Sequence, residues 1–274
     1  MNITAIGIDI AKNVFQIHGV DAQGKTVSQK RLTRNKLVGY IAQLPACLIG
    51  MEACGGSNYW ARKFQELGHE VKLISPQFVK PYVKSNKNDK NDAEAICEAL
   101  TRPTMRFVAS KSIEQQDIQA VHRIRSRIIK ERTALVNQLR GLLTEYGIVI
   151  AQGVNHIRKQ LPIILENTEN QLSELSKKLF NDLLNELRDI DDKVKNYDEE
   201  IKRICQRSEV CNRIMKIEGV GMLTATAIIA TIGDAKVFKN GREMAAFLGL
   251  VPKQRSSGGK QLLLGISQRC RINF

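Results

Sequence analysis

Four carboxylates, Asp9, Glu52, Asp89 and Asp92, have the type and placement to hold divalent cations. Asp9 interrupts the apolar run G-I-D-I that begins at Gly7, and Glu52 ends the run L-I-G-M-E that begins at Leu48. Asp89 and Asp92 fall three apart in N-D-K-N-D-A, at the start of a helix expected over 92–100, and so share a face. N-capping and the helix dipole account for either of these two alone. They do not account for Asp9 and Glu52. Carboxylates at two strand ends and a helix start can converge on two Mg²⁺ ions, which take hard oxygen ligands and bridge a phosphate about to be cleaved. Spacing alone leaves the capping reading and the metal reading both open.

Other chemistry is poorly supported. The six cysteines, Cys47, Cys54, Cys97, Cys205, Cys211 and Cys270, form no C-x-x-C pair and have no histidine at zinc-finger spacing, so they read as reduced thiols that pack. His18, His69, His122 and His156 are equally dispersed. Lysine and arginine number 42 against 28 acidic residues, a formal charge of +14 over 274 residues. That charge favours a polyanion, nucleic acid first, through phosphate neutralisation and counterion release. There is no strongly apolar run of about 20 residues and no signal-like segment at Met1, so a cytoplasmic protein with no membrane partner is expected.

The elements that must position the carboxylates lie in the first hundred residues. Apolar runs at 3–10, 14–20 and 25–32, with Gly24 as a turn, predict a three-stranded meander. Further strands are expected over 47–52 and 70–75, separated by a helix over 58–67 that Gly68 stops. This is a mixed α/β domain.

Beyond Pro103 the pattern becomes helical. Over 113–146, Ile118, Val121, Ile124, Ile128, Leu135, Leu139 and Leu142 recur at spacings of three, four and seven, the stripe of a long amphipathic helix. Its other faces carry Arg123, Arg125, Arg127, Lys130, Arg132 and Arg140, which could track a phosphate backbone or form a solvated face. A second helical stretch over 161–206, leucine-rich with both charge signs, suits a helical hairpin or coiled-coil arm. From Ile214 to Ala225 an apolar helix end runs into G-V-G and a new helix, a helix-hairpin-helix pattern in which Gly219 and Gly221 permit close backbone approach to a phosphate. A plain turn between core helices fits the same residues.

These residues carry a resemblance to a known family. G-I-D with Asp9, M-E-A-C-G with Glu52 and N-D-K-N-D-A with Asp89 and Asp92 resemble the DEDD transposases of the insertion-sequence "one-ten" family, relatives of the Piv invertases. I-E-G-V-G from Ile217, A-A-F-L-G-L-V-P from Ala245 and S-S-G-G from Ser256 are similar to that family's C-terminal signatures, so nearly the whole chain is covered. The resemblance implies an α/β plus α protein: a RuvC-like, ribonuclease-H-fold domain over 1–110, a helical arm over 111–207 and a mainly helical C-terminal transposase domain over 208–274.

Carried over by position, Asp9, Glu52, Asp89 and Asp92 would be ligands of Mg²⁺ or Mn²⁺, and Ser257 would be the nucleophile that forms a phosphoserine link to DNA. Ser256 is its possible substitute. Read without the family, S-S-G-G is a polar turn, and Lys253, Arg255 and Lys260 are basic neighbours that suit a loop approaching a phosphate. The resemblance further implies DNA partners at element ends and target, a structured guide RNA and a homo-oligomer, dimer or tetramer. Relatives continue with a glycine and a run of helices where this sequence reads Cys270 to Phe274, so a shortened C-terminus is expected. The leading expectation is a transposase. A metal-dependent nuclease or junction resolvase would need the same carboxylates without the serine, and an inactive nucleic-acid-binding remnant would need neither.

Overall fold

The computed structural model describes residues 3–84 and 89–266, without the side chain of Ser257. Asn88 of the N-D-K-N-D-A motif and the residues from 267 on, Cys270 among them, lie outside the described residues. The chain divides into two compact units, Met1–Ile113 and Glu114–Phe274.

In the first unit β1 (Ala5–Ile10), β2 (Val14–Val20) and β3 (Thr26–Thr33) form the antiparallel meander, followed by α1 (Arg34–Ala42). Next come β4 (Leu48–Glu52), α2 (Ser57–Glu66) and β5 (Glu70–Ile74), with β4 parallel to β1 and β5 parallel to β4. After a short α3 (Pro76–Val79) and α4 (Asp89–Leu100), the two-residue β6 (Phe107–Val108) closes a six-stranded sheet of order β3-β2-β1-β4-β5-β6. This mixed α/β architecture agrees with the ribonuclease-H-like domain that the sequence resemblance implies.

Alternation along the strands decides which side chains reach which layer. Ile6, Ile8, Phe15, Ile17, Ile49 and Met51 point into a core shared with Leu37 and Ile41 of α1 and Trp60 and Phe64 of α2. Ala5, Gly7, Asp9 and, on β4, Gly50 and Glu52 therefore face the opposite layer, where α4 lies. The approach there is close: a Cβ on Gly7 would stand 2.2 Å from the Ala93 carbonyl oxygen, and one on Gly50 would meet Leu100 at 2.9 Å. Only glycine lets α4 lie this near the strands that end in Asp9 and Glu52. The helix begins at Asp89, three residues before the start expected from sequence, which puts both Asp89 and Asp92 in its first turn.

In the second unit α5 (Ile113–Thr144) is the long amphipathic helix, with α6 (Val154–Glu166) and α7 (Glu174–Arg207) packed along it through Leu139, Leu143, Ile157, Leu161, Leu184 and Leu187. The stretch over 161–206 takes the helical-hairpin form: the end of α6 and most of α7 are separated where Asn167 accepts from the Glu169 amide in a turn and Ser173 caps α7 by accepting from the Ser176 amide at 3.2 Å. One expectation is corrected here. The buried stripe of α5 drifts off the expected one: Leu143 and Val136 are buried, while Ile124 and Leu142 are exposed, as a 3.6-residue period requires of a straight helix read in sevens.

A smaller group, α8 (Glu209–Ile214), α9 (Met222–Ile232) and α10 (Gly241–Phe247), follows. Gly219, at φ +81°, turns the chain between α8 and α9, and Gly221 is the N-cap of α9. Cys205, Cys211 and Ala225 form the small core beneath this turn. The S-S-G-G segment is not a loose loop within helices. It closes an antiparallel hairpin of β7 (Pro252–Ser257) and β8 (Lys260–Ile266), with Gly258 and Gly259 at φ +57° and +78° as its two turn residues. Two successive positive φ angles match the right-handed twist of a tight hairpin, which is the work glycine does here.

Candidate metal site and serine hairpin

Asp9 and Glu52 come together because β1 and β4 are adjacent and parallel. Their pairing runs from Ala5 opposite Leu48 to Ile8 opposite Met51, and each carboxylate is the next residue along. On the same sheet face the first turn of α4 supplies Asp89 and Asp92. One oxygen from each of Asp9, Asp89 and Asp92 lies within 4.8 Å of the others, with Asp9 and Asp92 half-buried and Asp89 exposed. Glu52, also half-buried, stands beside this triplet rather than inside it, near enough for its charge to act on Asp9.

Burial pushes the Asp9 carboxyl up to about 6, and the negative charges of Asp92, Asp89 and Glu52 push in the same direction, against a lowering hydrogen bond from the Ile10 backbone. Like charges gathered in a half-buried pocket are unfavourable until something positive joins them. The donor set is all oxygen, which fits a hard divalent cation such as Mg²⁺ or Mn²⁺ and does not fit a thiolate-seeking metal. The sequence did not point to Cys54, two residues beyond Glu52. It is exposed, and its thiol is pushed up by local desolvation of the sulfur and then by Glu52 and Asp9.

Three of the four histidines are buried in structural hydrogen bonds, and His156 is exposed. His18 is buried between Thr26 and Gln29, His69 accepts from the Cys47 backbone amide at Nδ1 and donates from Nε2 to the Ile41 carbonyl, and His122 meets Thr226 at 2.9 Å. The basic residues of α5 divide into two groups. Arg125 binds Asp198 at 2.6 Å, Arg132 shares Asp191 with Arg158, and Arg140 donates to the Ile150 carbonyl, so these three hold the helices together. Arg123, Arg127 and Lys130 are exposed, with Arg127 paired to Glu131. Gly219 and Gly221 are also exposed.

Ser257 is the last residue of β7 and pairs with Lys260 across the turn; its side chain lies outside what the structure describes. The Ser256 hydroxyl accepts from the Gln254 amide at 2.7 Å. Lys253, Arg255 and Lys260 are exposed on the two strands.

A sheet-and-helix domain that gathers strand-end and helix-start carboxylates is the architecture of a metal-dependent enzyme acting on phosphodiesters, and comparison with known proteins says which. Residues 6–148 match a DEDD family model described as "Transposase", and residues 211–272 match one described as "Transposase IS116/IS110/IS902 family". The chain is 48% identical over 271 residues to "Transposase for insertion sequence element IS1111A" of Coxiella burnetii, covering 99% of this chain and 74% of that protein. It is 45% identical to a "Probable family 20 transposase" of Pseudomonas aeruginosa, covering 98% and 80%. It is 24% identical to the "Pilin gene-inverting protein" of Moraxella bovis, covering 97% and 79%. The chain belongs to the IS116/IS110/IS902 family of transposases, enzymes that cleave and rejoin DNA. Among the described residues no helix is long and apolar enough to cross a membrane.

Proposed function

We propose that this chain is an insertion-element transposase that works in the cytoplasm on element ends and target DNA, with Asp9, Glu52, Asp89 and Asp92 as ligands of Mg²⁺ or Mn²⁺ and Ser257 as nucleophile. The observation that carries the metal half is the convergence of Asp9, Asp89 and Asp92 within 4.8 Å, with Asp9 raised to about 6 by its surroundings. When bound, the ion supplies positive charge to the phosphate under attack. The residues of the chain do the rest. Asp9 and Glu52 fix the site to the sheet, and Asp89 and Asp92 close it from α4.

In the proposed step the Ser257 oxygen bonds to phosphorus as the bond from phosphorus to the leaving sugar oxygen breaks, and the hydroxyl proton ends on that oxygen. The energy of the broken bond stays in the phosphoserine for rejoining. Domain roles follow the sequence boundaries: metal site over 1–110, helical arm over 111–207, transposase domain with the serine over 208–274. Arg123, Arg127, Lys130, Gly219, Gly221, Lys253, Arg255 and Lys260 would meet phosphates, with a structured RNA as guide and a homo-oligomer bringing serine and carboxylates together.

One observation favours a second reading. The carboxylates are complete within the first unit, so a nuclease or resolvase would need nothing from the hairpin. Purified protein incubated with Mg²⁺ and the DNA and RNA of its own element ends, then run on a denaturing gel, separates the two. A protein-linked DNA band lost in both Ser257→Ala and Asp9→Asn is the expected result. Cleaved ends that persist in Ser257→Ala would identify a nuclease, and binding without cleavage an inactive remnant.

A further inference from the structure

A strand that brings a phosphate to several carboxylates must be held there against their charge. The register of the meander places a row of side chains on the very face that carries Asp9. Asp9 is opposite Gln16 on β2, and Gln16 is opposite Arg31 on β3. One rung along, His18 is opposite Gln29. A concavity of about 230 Å³ opens over this part of the sheet, lined by Gln16, Ile17, Gln29, Lys30, Arg31 and Lys90. Lys90 directly follows Asp89 on α4. Among the described residues no carboxylate lines the concavity, although it adjoins an acidic site. Lys30 belongs by alternation to the other face, where its ammonium lies 4.5 Å from the Tyr40 ring centroid, so Arg31 is the cation that the sheet itself presents on this face.

We infer that this concavity binds the sugar-phosphate backbone of the nucleic-acid strand whose neighbouring phosphate occupies the carboxylate site, with Arg31 and Gln16 as donors to it. The inference rests on the metal reading of Asp9, Asp89 and Asp92. The guanidinium fork of Arg31 matches two phosphate oxygens, and the Gln16 amide adds a neutral donor between Arg31 and Asp9. Two inter-strand steps of about 4.8 Å put Arg31 about 10 Å from Asp9 along the row, a nucleotide or two from the reacting phosphate. Such a contact sets the position of the strand and reads no sequence.

The test uses the full chain and a labelled single-stranded DNA of mixed sequence, with binding measured by fluorescence anisotropy over about 50 to 200 mM salt. Arg31 is exposed on the edge strand β3, so its replacement leaves the fold in place. Arg31→Ala is expected to weaken binding roughly fivefold and to reduce the salt slope by about 0.7, one single-strand phosphate contact. Gln16→Ala weakens binding with no change of slope. Lys25→Ala, at the far end of the meander, stays within about twofold of native and is the control for general charge loss. A native slope in Arg31→Ala, or an equal loss in Lys25→Ala, overturns the inference. The same series on RNA of that sequence shows whether one strand type or both use the contact. Mn²⁺ binding is read in parallel, and it should be native in Arg31→Ala and lost in Asp9→Asn. If Asp9→Asn keeps Mn²⁺, the metal reading fails while the Arg31 slope still decides the cradle.

Discussion

Asp9 titrates at about 6 because its carboxylate is half-buried among Asp92, Asp89 and Glu52, and two expectations follow from the direction of that shift. Metal uptake requires the deprotonated carboxylate, so Mn²⁺ affinity should fall about tenfold per pH unit below 6 and level off above it, as isothermal titration at pH 5, 6 and 7 would show. Stability runs the opposite way. Between the ordinary carboxylate value of 3.8 and about 6 the folded chain holds a proton that the unfolded chain has released, so this group makes the metal-free protein less stable as pH rises through that window. Asp9→Asn should therefore raise the stability of the metal-free chain at pH 7 by about 1–2 kcal/mol, discounted for partial solvent exposure, with no gain at pH 4. Thermal melts at the two pH values check it, and an equal gain at both would show that charge is not the cause.

At the scale of elements, α4 and its two glycine contacts matter most. Gly7→Ala would press a methyl group into the Ala93 backbone and should cost about 3 kcal/mol or more, with Mn²⁺ binding lost as α4 is displaced. Gly50→Ala meets the Leu100 side chain, its methyl carbons at 2.9 and 3.1 Å and its Cβ at 3.2 Å, rather than backbone, and about 1–2 kcal/mol is expected in a urea melt. In the arm, Asp191 receives Arg132 at 3.2 Å and Arg158 at 2.5 Å, so Asp191→Ala leaves two guanidinium groups without their shared acceptor. A loss of about 1–2 kcal/mol confined to the second unit, read by hydrogen exchange, is the expected result. Much of this was legible beforehand. Alternation and turn residues located β1 to β5 closely, since half-buried strands print their period directly. What the sequence hid had physical reasons. The α4 start was obscured by a polar stretch that suits a loop or a first helical turn equally. The break between α6 and α7 rests on side-chain caps within a leucine-rich stretch. The hairpin around Ser257 looks like any Ser-Gly turn until its partner strand is seen. Among the carboxylates, pattern alone could propose four but not show that three close to one point and the fourth stands beside them.

Across the whole molecule, the carboxylates belong to one compact unit and the serine hairpin to the other. The two sets should therefore fail separately. Replacing both Gly258 and Gly259 by alanine strains a turn that needs two positive φ angles, at about 1–2 kcal/mol each, and should abolish the protein-DNA adduct while Mn²⁺ binding stays native. Loss of both together would mean that the units do not fold independently. Seen from the gene, the contact between Gly7 and α4 has one more consequence. Every first- or second-base change in a glycine codon creates a residue with a Cβ or a stop, so a saturation library selected for transposition should retain only third-base changes at that codon, a silent fingerprint left by a helix with no room to spare.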